Sequence, residues 1–523
     1  MSDTVEAPTP AQAPAAEDDF IALATQHEQA GRLEEAQACI DRALEKTPDD
    51  GRAVHMAGVL AFRAGRRDEA VRLMERSLTL GPAKPYYLRN LCEIYRLLGR
   101  YDEALKVGDA AVKGDPRDPI ALLNLAVLHY ARREPERSID AAHKALVIDP
   151  QMPGGHFALA EAWLLQGNFG PGWEEYEWRF RLKGVPKLMP KDEPPLWDGK
   201  PMPKGRLMLI ADQGFGDCIQ FGRYIPWAAQ RCGELVIACS REMAPVISQL
   251  APGAVLFDRW EDCPESVAHC PLSGLPRLHG TDLATIPSEI AYLHADPKAV
   301  AAWAERLNQL APPSGRRIGV VWAGRPTHNN DANRSIALKA LAPICDLDGV
   351  TLVSLQKGPP QTQVGDYFGR APLINLGPEI ATFADTMAII DSLDLVVSVD
   401  TSVAHLAAAL GKPTWIMLPH ACDWRWLLER TDSPWYPTVR LFRQPGHHRW
   451  TEVISTVADA IAGKEGPYPS QDLSRRIGAT PSSAPAALPA TGSQKRSRLL
   501  SSSSTSALGK PLPLVGKGTS GTR

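Results

Sequence analysis

Gly31, Gly65 and Gly99 stand 34 residues apart, and Pro48, Pro82, Pro116 and Pro150 keep the same interval. Three series of small residues repeat at that spacing: Ala24, Gly58, Cys92, Ala126 and Ala160; Ala36, Ala70, Ala104 and Ser138; Ala43, Ser77, Ala111 and Ala145. Two antiparallel helices pack closely only where side chains are minimal at their crossing points. The pattern therefore predicts helical hairpins that bury their faces by stacking on their neighbours. The glycines, each followed by arginine, suit the turn inside a hairpin, where a residue without Cβ adopts positive φ at low cost. The prolines close each repeat because they cannot continue a helix.

A strict period of this length is the tetratricopeptide signature. Four full repeats run from about residue 17 to 152. A fifth begins at Met152, keeps Ala160 and Gly167, and departs from the pattern over Gly172-Trp173-Glu174-Glu175-Tyr176-Glu177-Trp178-Arg179 as a modified cap. Such an array is either a helical spacer or a concave surface that grips a protein segment. The period is the same for both.

The chain has 523 residues, 22% charged and 44% hydrophobic, with a net charge of -3. That is an ordinary globular balance, with no general attraction to nucleic acid or anionic lipid. No apolar run reaches the roughly 18 to 20 residues needed to span a bilayer. The acidic, Ala/Pro-rich start lacks the features of an export signal, so a cytoplasmic location is expected. The cysteines, nine in all, form no Cys-x-x-Cys pair. Cys263, His269 and Cys270 lack a fourth ligand at zinc spacing and read as structural. Residues 1–16 and 466–523 are compositionally disordered, and the Pro-rich stretch 183–204 reads as a linker.

Beyond that stretch, short apolar β-type runs alternate with amphipathic segments, the mark of a parallel sheet covered on both faces. The expected strands are Leu207–Ala211, Leu235–Cys239, Ala254–Phe257, Ile318–Trp322, Thr351–Leu355, Leu395–Val399 and Thr414–Leu418. They fall into two Rossmann-like halves, 205–315 and 316–465. The fold class is thus α plus α/β: a helical solenoid followed by two facing α/β halves.

Ligands of such sheets bind beyond the carboxyl ends of the strands, and polar residues collect there. The first loop, Asp212-Gln213-Gly214-Phe215-Gly216-Asp217, leads into a helix expected from about Cys218. Asp217 suits either a helix cap or a carboxylate that accepts a proton from a hydroxyl. The second, Asp400-Thr401-Ser402 followed by His405, opens a helix whose free amides and dipole suit a diphosphate, although Ser, Thr and Asp also serve ordinary caps. The third runs from Trp322 through Asn330 and Asp331 to Arg334, a planar, permanently charged donor matched to phosphate or simply a surface arginine. Asp346-Leu347-Asp348 lies in a turn between elements and is not read as a metal motif.

Together these loops resemble the glycosyltransferases that include the bacterial heptosyltransferases, of GT-B architecture, in a variant fused behind tetratricopeptide repeats. The resemblance spans about residues 167–445. It is carried by Gly172-Trp173 to Trp178-Arg179, Gln213 to Asp217, Val321 to Arg334, Ser354-Leu355-Gln356-Lys357, Asp394 to Pro413, Asp423-Trp424-Arg425-Trp426 and Trp435-Tyr436. It implies that Asp217 is the general base on the acceptor. It also implies that Asp400, Thr401, Ser402 and His405, with Arg334, hold the donor diphosphate, and that Gln213, Gly214, Gly216, Asn330, Asp331 and Lys357 line the cleft. Two positions depart from the family: Arg334 stands where many members have lysine, and Ser402 where glycine is common.

The domains expected are repeats over 17–182, the linker 183–204 and the two halves of the GT-B unit. Domain order also resembles the O-linked N-acetylglucosamine transferases, in which repeats present a protein to the catalytic unit. The expected activity is inverting transfer from a nucleotide-sugar to a protein acceptor, a flagellar or surface subunit being the natural candidate. No metal and no cofactor are expected, because amides and arginine can stabilise the leaving group. Two other readings stay open: transfer to lipopolysaccharide or another glycan, and a non-catalytic scaffold.

Overall fold

The computed structural model describes residues 19–464, except 186, 190–193, 312–314 and 329. The segments expected to be disordered, 1–16 and 466–523, lie outside the described residues. The chain divides into two compact units, one ending at Met152 and the other starting at Pro153.

The first unit is the solenoid: helices Phe20–Gln29, Leu33–Lys46, Gly51–Arg63, Arg67–Thr79, Pro85–Leu97, Tyr101–Gly114, Pro119–Ala131 and Pro135–Ile148 pair in sequence. Small residues occupy the crossings as the period requires. Ala24, Ala36, Ala70, Cys92, Ala104 and Ala126 are fully buried. Within each hairpin, Gly31, Gly65 and Gly99 take φ of 76°, 78° and 74°. The next amide then donates to the carbonyl five residues back, as Arg66 does to Ala61 at 2.9 Å, which closes the helix end. In the fourth repeat Arg133 fills this left-handed position with φ 62°, and Glu134 still bonds back to His129 at 2.8 Å. The turn geometry is therefore set by helix packing and tolerates a side chain at some cost in strain.

One buried chain of hydrogen bonds gives this unit a pH dependence. The Asn90 side-chain amide lies 3.1 Å from His55 Nε2, while His55 Nδ1 faces the Ser77 hydroxyl at 3.5 Å, and that hydroxyl donates to the Met74 carbonyl at 2.6 Å. The geometry suits a neutral imidazole with its proton on Nδ1. Burial, reinforced by the Arg89 charge, lowers the His55 pKa to about 3. The unfolded chain therefore takes up a proton that the folded unit refuses, so stability is full above about pH 6.5 and falls as the pH drops toward 3. Between pH 7.5 and 5 the unit should lose about 2 kcal/mol, read by urea unfolding followed through amide exchange in Gly51–Arg63. His55→Gln should flatten that dependence.

The second unit opens with the modified fifth repeat, helices Pro153–Leu165 and Phe169–Tyr176, continuing into a 3-10 turn over Glu177–Arg181. Trp173 and Tyr176 pack edge-on against Trp424, at 5.3 and 6.1 Å between ring centroids, and Phe169 tilts against Trp435 at 5.7 Å. Trp173 and Tyr176, which break the repeat pattern, thus pack on the α/β region. This explains why the compact unit starts at 153 rather than after the repeats.

The α/β region is built on two parallel sheets. The first comprises β1 (Met202–Ile210), β2 (Cys232–Ala238), β3 (Val255–Phe257) and β4 (Ala268–Pro271), in the order β3-β2-β1-β4. The second comprises β5 (Arg316–Val321), β6 (Val350–Ser354), β7 (Leu373–Asn375), β8 (Leu395–Val399), β9 (Thr414–Leu418) and β10 (Val439–Arg443), in the order β10-β9-β8-β5-β6-β7. This is the doubly wound order, whose direction reverses between β5 and β8. The first sheet reverses between β1 and β4.

The expected strands all form, and three more appear. β7 is a three-residue edge strand, β10 carries two arginines among its five residues, and β4 carries a histidine and a proline. None of the three presents a continuous apolar run. From residue 194 onward the stretch expected as a linker is folded instead. Trp197 is buried, its amide donates to the His269 carbonyl at 2.8 Å, and β1 starts within the range assigned to the linker.

Candidate active site

Both reversal points place loops side by side at the carboxyl ends of their strands. In the second half these are the loop after β5, from Trp322 to Arg334, and the turn after β8 at Asp400. The turn leads into the helix Ser402–Ala409. In the first half the loop after β1, Asp212 to Gly214, starts the helix Phe215–Gly222, three residues earlier than expected. Asp217 is therefore the third residue of that helix and not its cap.

Asp217 keeps a capping role from within, since its Oδ2 accepts the Gly214 amide at 3.1 Å. Its Oδ1 accepts from Arg425 Nη2 at 2.5 Å, a bond that joins the two halves. Asp217 retains 22% side-chain exposure, whereas Arg425 retains 8%. Arg425 also donates to Asp423 at 3.0 Å. Burial opposes its charge, but Asp423, Asp217 and Asp400 outweigh that and hold the guanidinium firmly protonated. Next to Asp217, Gly216 lies against the His405 ring. A Cβ at this position would stand 2.9 Å from His405 Cδ2, so the two helix starts meet this closely only with glycine here.

The second half is tied down from inside. Asp400 Oδ2 accepts from Trp426 Nε1 at 3.0 Å, and Oδ1 faces His405 Nε2 at 3.7 Å. Burial raises the Asp400 pKa, but the His405 bond and the charges of His405, Arg425 and Arg334 prevail and hold it well below the usual carboxylate range. His405 is 2% exposed, and its Nδ1 lies 2.9 Å from the Tyr436 hydroxyl. Burial and the Arg425 charge lower its pKa, against the pull of Asp400. The Thr401 hydroxyl pairs with Ser398 at 2.9 Å.

Asp400, Thr401 and His405 thus spend side-chain bonds on Trp426, Ser398 and Tyr436, which shape the turn. What remains at the helix start is Ser402, half-buried, with the leading amides of Ser402–Ala409. Arg334 stands beside them, its Nη1 donating to the Asp400 carbonyl at 3.0 Å and its Nε to Asp331 at 3.3 Å. Asp331 also accepts the Ser335 hydroxyl at 2.7 Å, and Asn330 accepts from Asn333 at 2.7 Å, so both order the loop that carries Arg334.

Lys357 ties two loops together. Its ammonium donates to the carbonyls of Gly377 and Ile380 at 2.8 and 2.7 Å, joining the loops after β6 and β7. Its neighbour Gln356 is buried and braces the loop after β5, accepting from the Trp322 and Ala323 amides at 3.1 and 2.9 Å. Gln213 lies 3.2 Å from the Tyr176 hydroxyl of the modified repeat. Cys263, His269 and Cys270 are not gathered as ligands. Cys263 contacts Met208, while His269 Nδ1 faces the Pro194 carbonyl at 2.6 Å.

Arg425, within the Asp423-to-Trp426 run, was not among the expected site residues. The available signal was a charged residue between Trp424 and Trp426, because a cation among buried aromatics must be paired. Arg223 was missed as well. It is buried, stacks at 4.7 Å from the Tyr436 ring, and donates to the Trp435 carbonyl at 2.8 Å, a second bond between the halves.

This geometry defines a class: a tetratricopeptide solenoid followed by a unit of two parallel sheets, in which the helices after β1 and β8 meet at their starts and Arg425 bonds Asp217 between the halves. Comparisons agree with it. Residues 21–85, 55–119 and 93–153 match the family described as tetratricopeptide repeat, and residues 370–416, from just before β7 into β9, match glycosyltransferase family 9 (heptosyltransferase). Protein FlbA of Caulobacter vibrioides is 28% identical over 337 residues, covering 58% of this chain and 54% of FlbA. The chain thus spans about half the length of that relative. Among solved structures, TTC0263, a tetratricopeptide protein of Thermus thermophilus, is 22% identical with a TM-score of 0.29, covering 32% of this chain and 92% of that one. Pseudomonas aeruginosa pilF is 20% identical with a TM-score of 0.30, covering 33% and 78%. No described helix is long and apolar enough to cross a membrane.

Proposed function

We propose that the chain is an inverting, metal-independent glycosyltransferase that moves a sugar from a nucleotide-sugar to a protein acceptor selected by its repeats. The observation that carries this reading is the placement of Asp217, partly open to solvent, on the first half, with the Ser402 helix start and Arg334 on the second. In this mechanism Asp217 takes the proton of the acceptor hydroxyl as its oxygen attacks the anomeric carbon from the face opposite the diphosphate. The bond to the diphosphate oxygen breaks, and the negative charge left there is met by the helix-start amides, the Ser402 hydroxyl and Arg334. Arg425 aims the carboxylate. Asp400 and His405 keep the receiving turn rigid.

The family match falls within the second half, over residues 370–416, and the repeats are a protein-interaction module by type, which together support a glycosyltransferase served by a protein-binding array. Deleting residues 19–152 tests the acceptor. Transfer to protein should collapse while slow hydrolysis of the nucleotide-sugar persists. Undiminished transfer by the truncated protein to a glycan would assign the acceptor to that class instead.

A further inference from the structure

The reversal point of the first sheet is where a doubly wound half would ordinarily receive a ligand, yet here the protein fills it from within. Arg179, in the turn that ends the modified fifth repeat, is 4% exposed, and its Nη2 donates to the Ser273 hydroxyl at 2.5 Å in the loop after β4. The Ser273 hydroxyl in turn donates to Asp212 Oδ2, and the Ser273 amide donates to Asp212 Oδ1 at 3.1 Å, in the loop after β1. Arg179 Nη1 is held by the Tyr176 carbonyl at 2.7 Å and Glu177 at 3.0 Å, and its guanidinium lies 3.9 Å from the Phe180 ring. The Tyr176 hydroxyl reaches Gln213, the residue after Asp212.

We propose that Arg179 is a positioning residue for the acceptor loop: acting through Ser273, it fixes Asp212 and so sets the backbone from Gln213 to Asp217 against Arg425. The inference rests on the role given to Asp217 above. It accounts for the modified repeat, whose Gly172-to-Arg179 run abandons the repeat pattern in order to cap a sheet. A cation inside a reversal point also makes this half a rigid partner for the donor half, with its ligand crevice already filled. Burial raises the Asp212 pKa, against the lowering effects of Arg179 and Ser273, so the loop's anchor depends on both partners.

The test compares Arg179→Met, Arg179→Lys and Ser273→Ala in the full chain by amide hydrogen exchange and by transfer. Exchange in residues 211–218 should rise at least tenfold in Arg179→Met and Ser273→Ala, with Ser402–Ala409 unchanged. Arg179→Lys should restore part of the protection. With a panel of ADP-, GDP-, UDP- and CDP-linked sugars as probes, kcat of the wild-type donor should fall at least tenfold in Arg179→Met, while KM for that donor stays within twofold. Unchanged exchange in 211–218, or a rise shared equally by every strand of the unit, would overturn the proposal. Should Arg179→Met fail to fold, Ser273→Ala decides on the same readouts. If the wild type transfers nothing from the panel, the glycosyltransferase reading fails, and the exchange result alone judges the brace.

Discussion

Asp217→Asn should lower sugar transfer by roughly 10²- to 10⁴-fold, the usual range for removing a general base, while leaving nucleotide binding within twofold. Asparagine keeps the shape of the side chain and one carbonyl oxygen, so it can still accept from either Gly214 or Arg425. What it loses is the capacity to take a proton. The fold should therefore survive with a modest loss of stability, about 1 to 2 kcal/mol, from a weakened charge-assisted bond to Arg425. Single-turnover transfer beside calorimetric binding of the same nucleotide separates the two effects. A variant that transfers at the wild-type rate would remove Asp217 from the chemistry.

The second large effect is expected at Arg425, and on stability first. Its guanidinium serves Asp217 and Asp423 directly and supports the charge of Asp400. Arg425→Met would remove the guanidinium that pairs with Asp217 and Asp423 and one of the charges that support Asp400, a loss of about 2 to 4 kcal/mol. The range lies toward the lower side for a broken buried pair because Asp217 and Asp423 keep 22% and 27% exposure, where water still screens them. Transfer should fall with it, since the carboxylate is no longer aimed. The double variant Arg425→Met/Asp217→Asn should regain part of the lost stability, because it removes one of the stranded charges. Urea midpoints of the single and double variants measure this coupling, and strict additivity would contradict it.

These two residues also show what could be read from the chain and what could not. The solenoid was legible because its determinants are local: a helix crossing demands a small residue wherever it occurs, and Ala36, Ala70 and Ala104 record that demand at a fixed interval. Arg133 shows the limit even there, since packing imposes a left-handed turn that the sequence does not signal. The central strands were legible as apolar runs, whereas β4, β7 and β10 are short or interrupted by polar residues. In the site, loop positions were legible and side-chain directions were not. Asp400, Thr401 and His405 lie where expected, but their side chains bond within the protein: Trp426 and Tyr436 reach Asp400 and His405 from a distant segment, while Ser398 in β8 pairs with Thr401. Arg425 meets Asp217 across 208 residues of sequence, and Arg179 meets Ser273 across 94. No local pattern encodes such pairings.

The central claim is that the loops at Arg334 and Ser402 receive a nucleotide diphosphate opposite Asp217. Calorimetric titration of the full chain with ADP, GDP, UDP and CDP, repeated with Arg334→Ala, addresses it most directly. One nucleotide should bind, and Arg334→Ala should weaken that binding at least tenfold while Asp217→Asn leaves it within twofold. Absence of binding by all four, or binding indifferent to Arg334, would contradict the account.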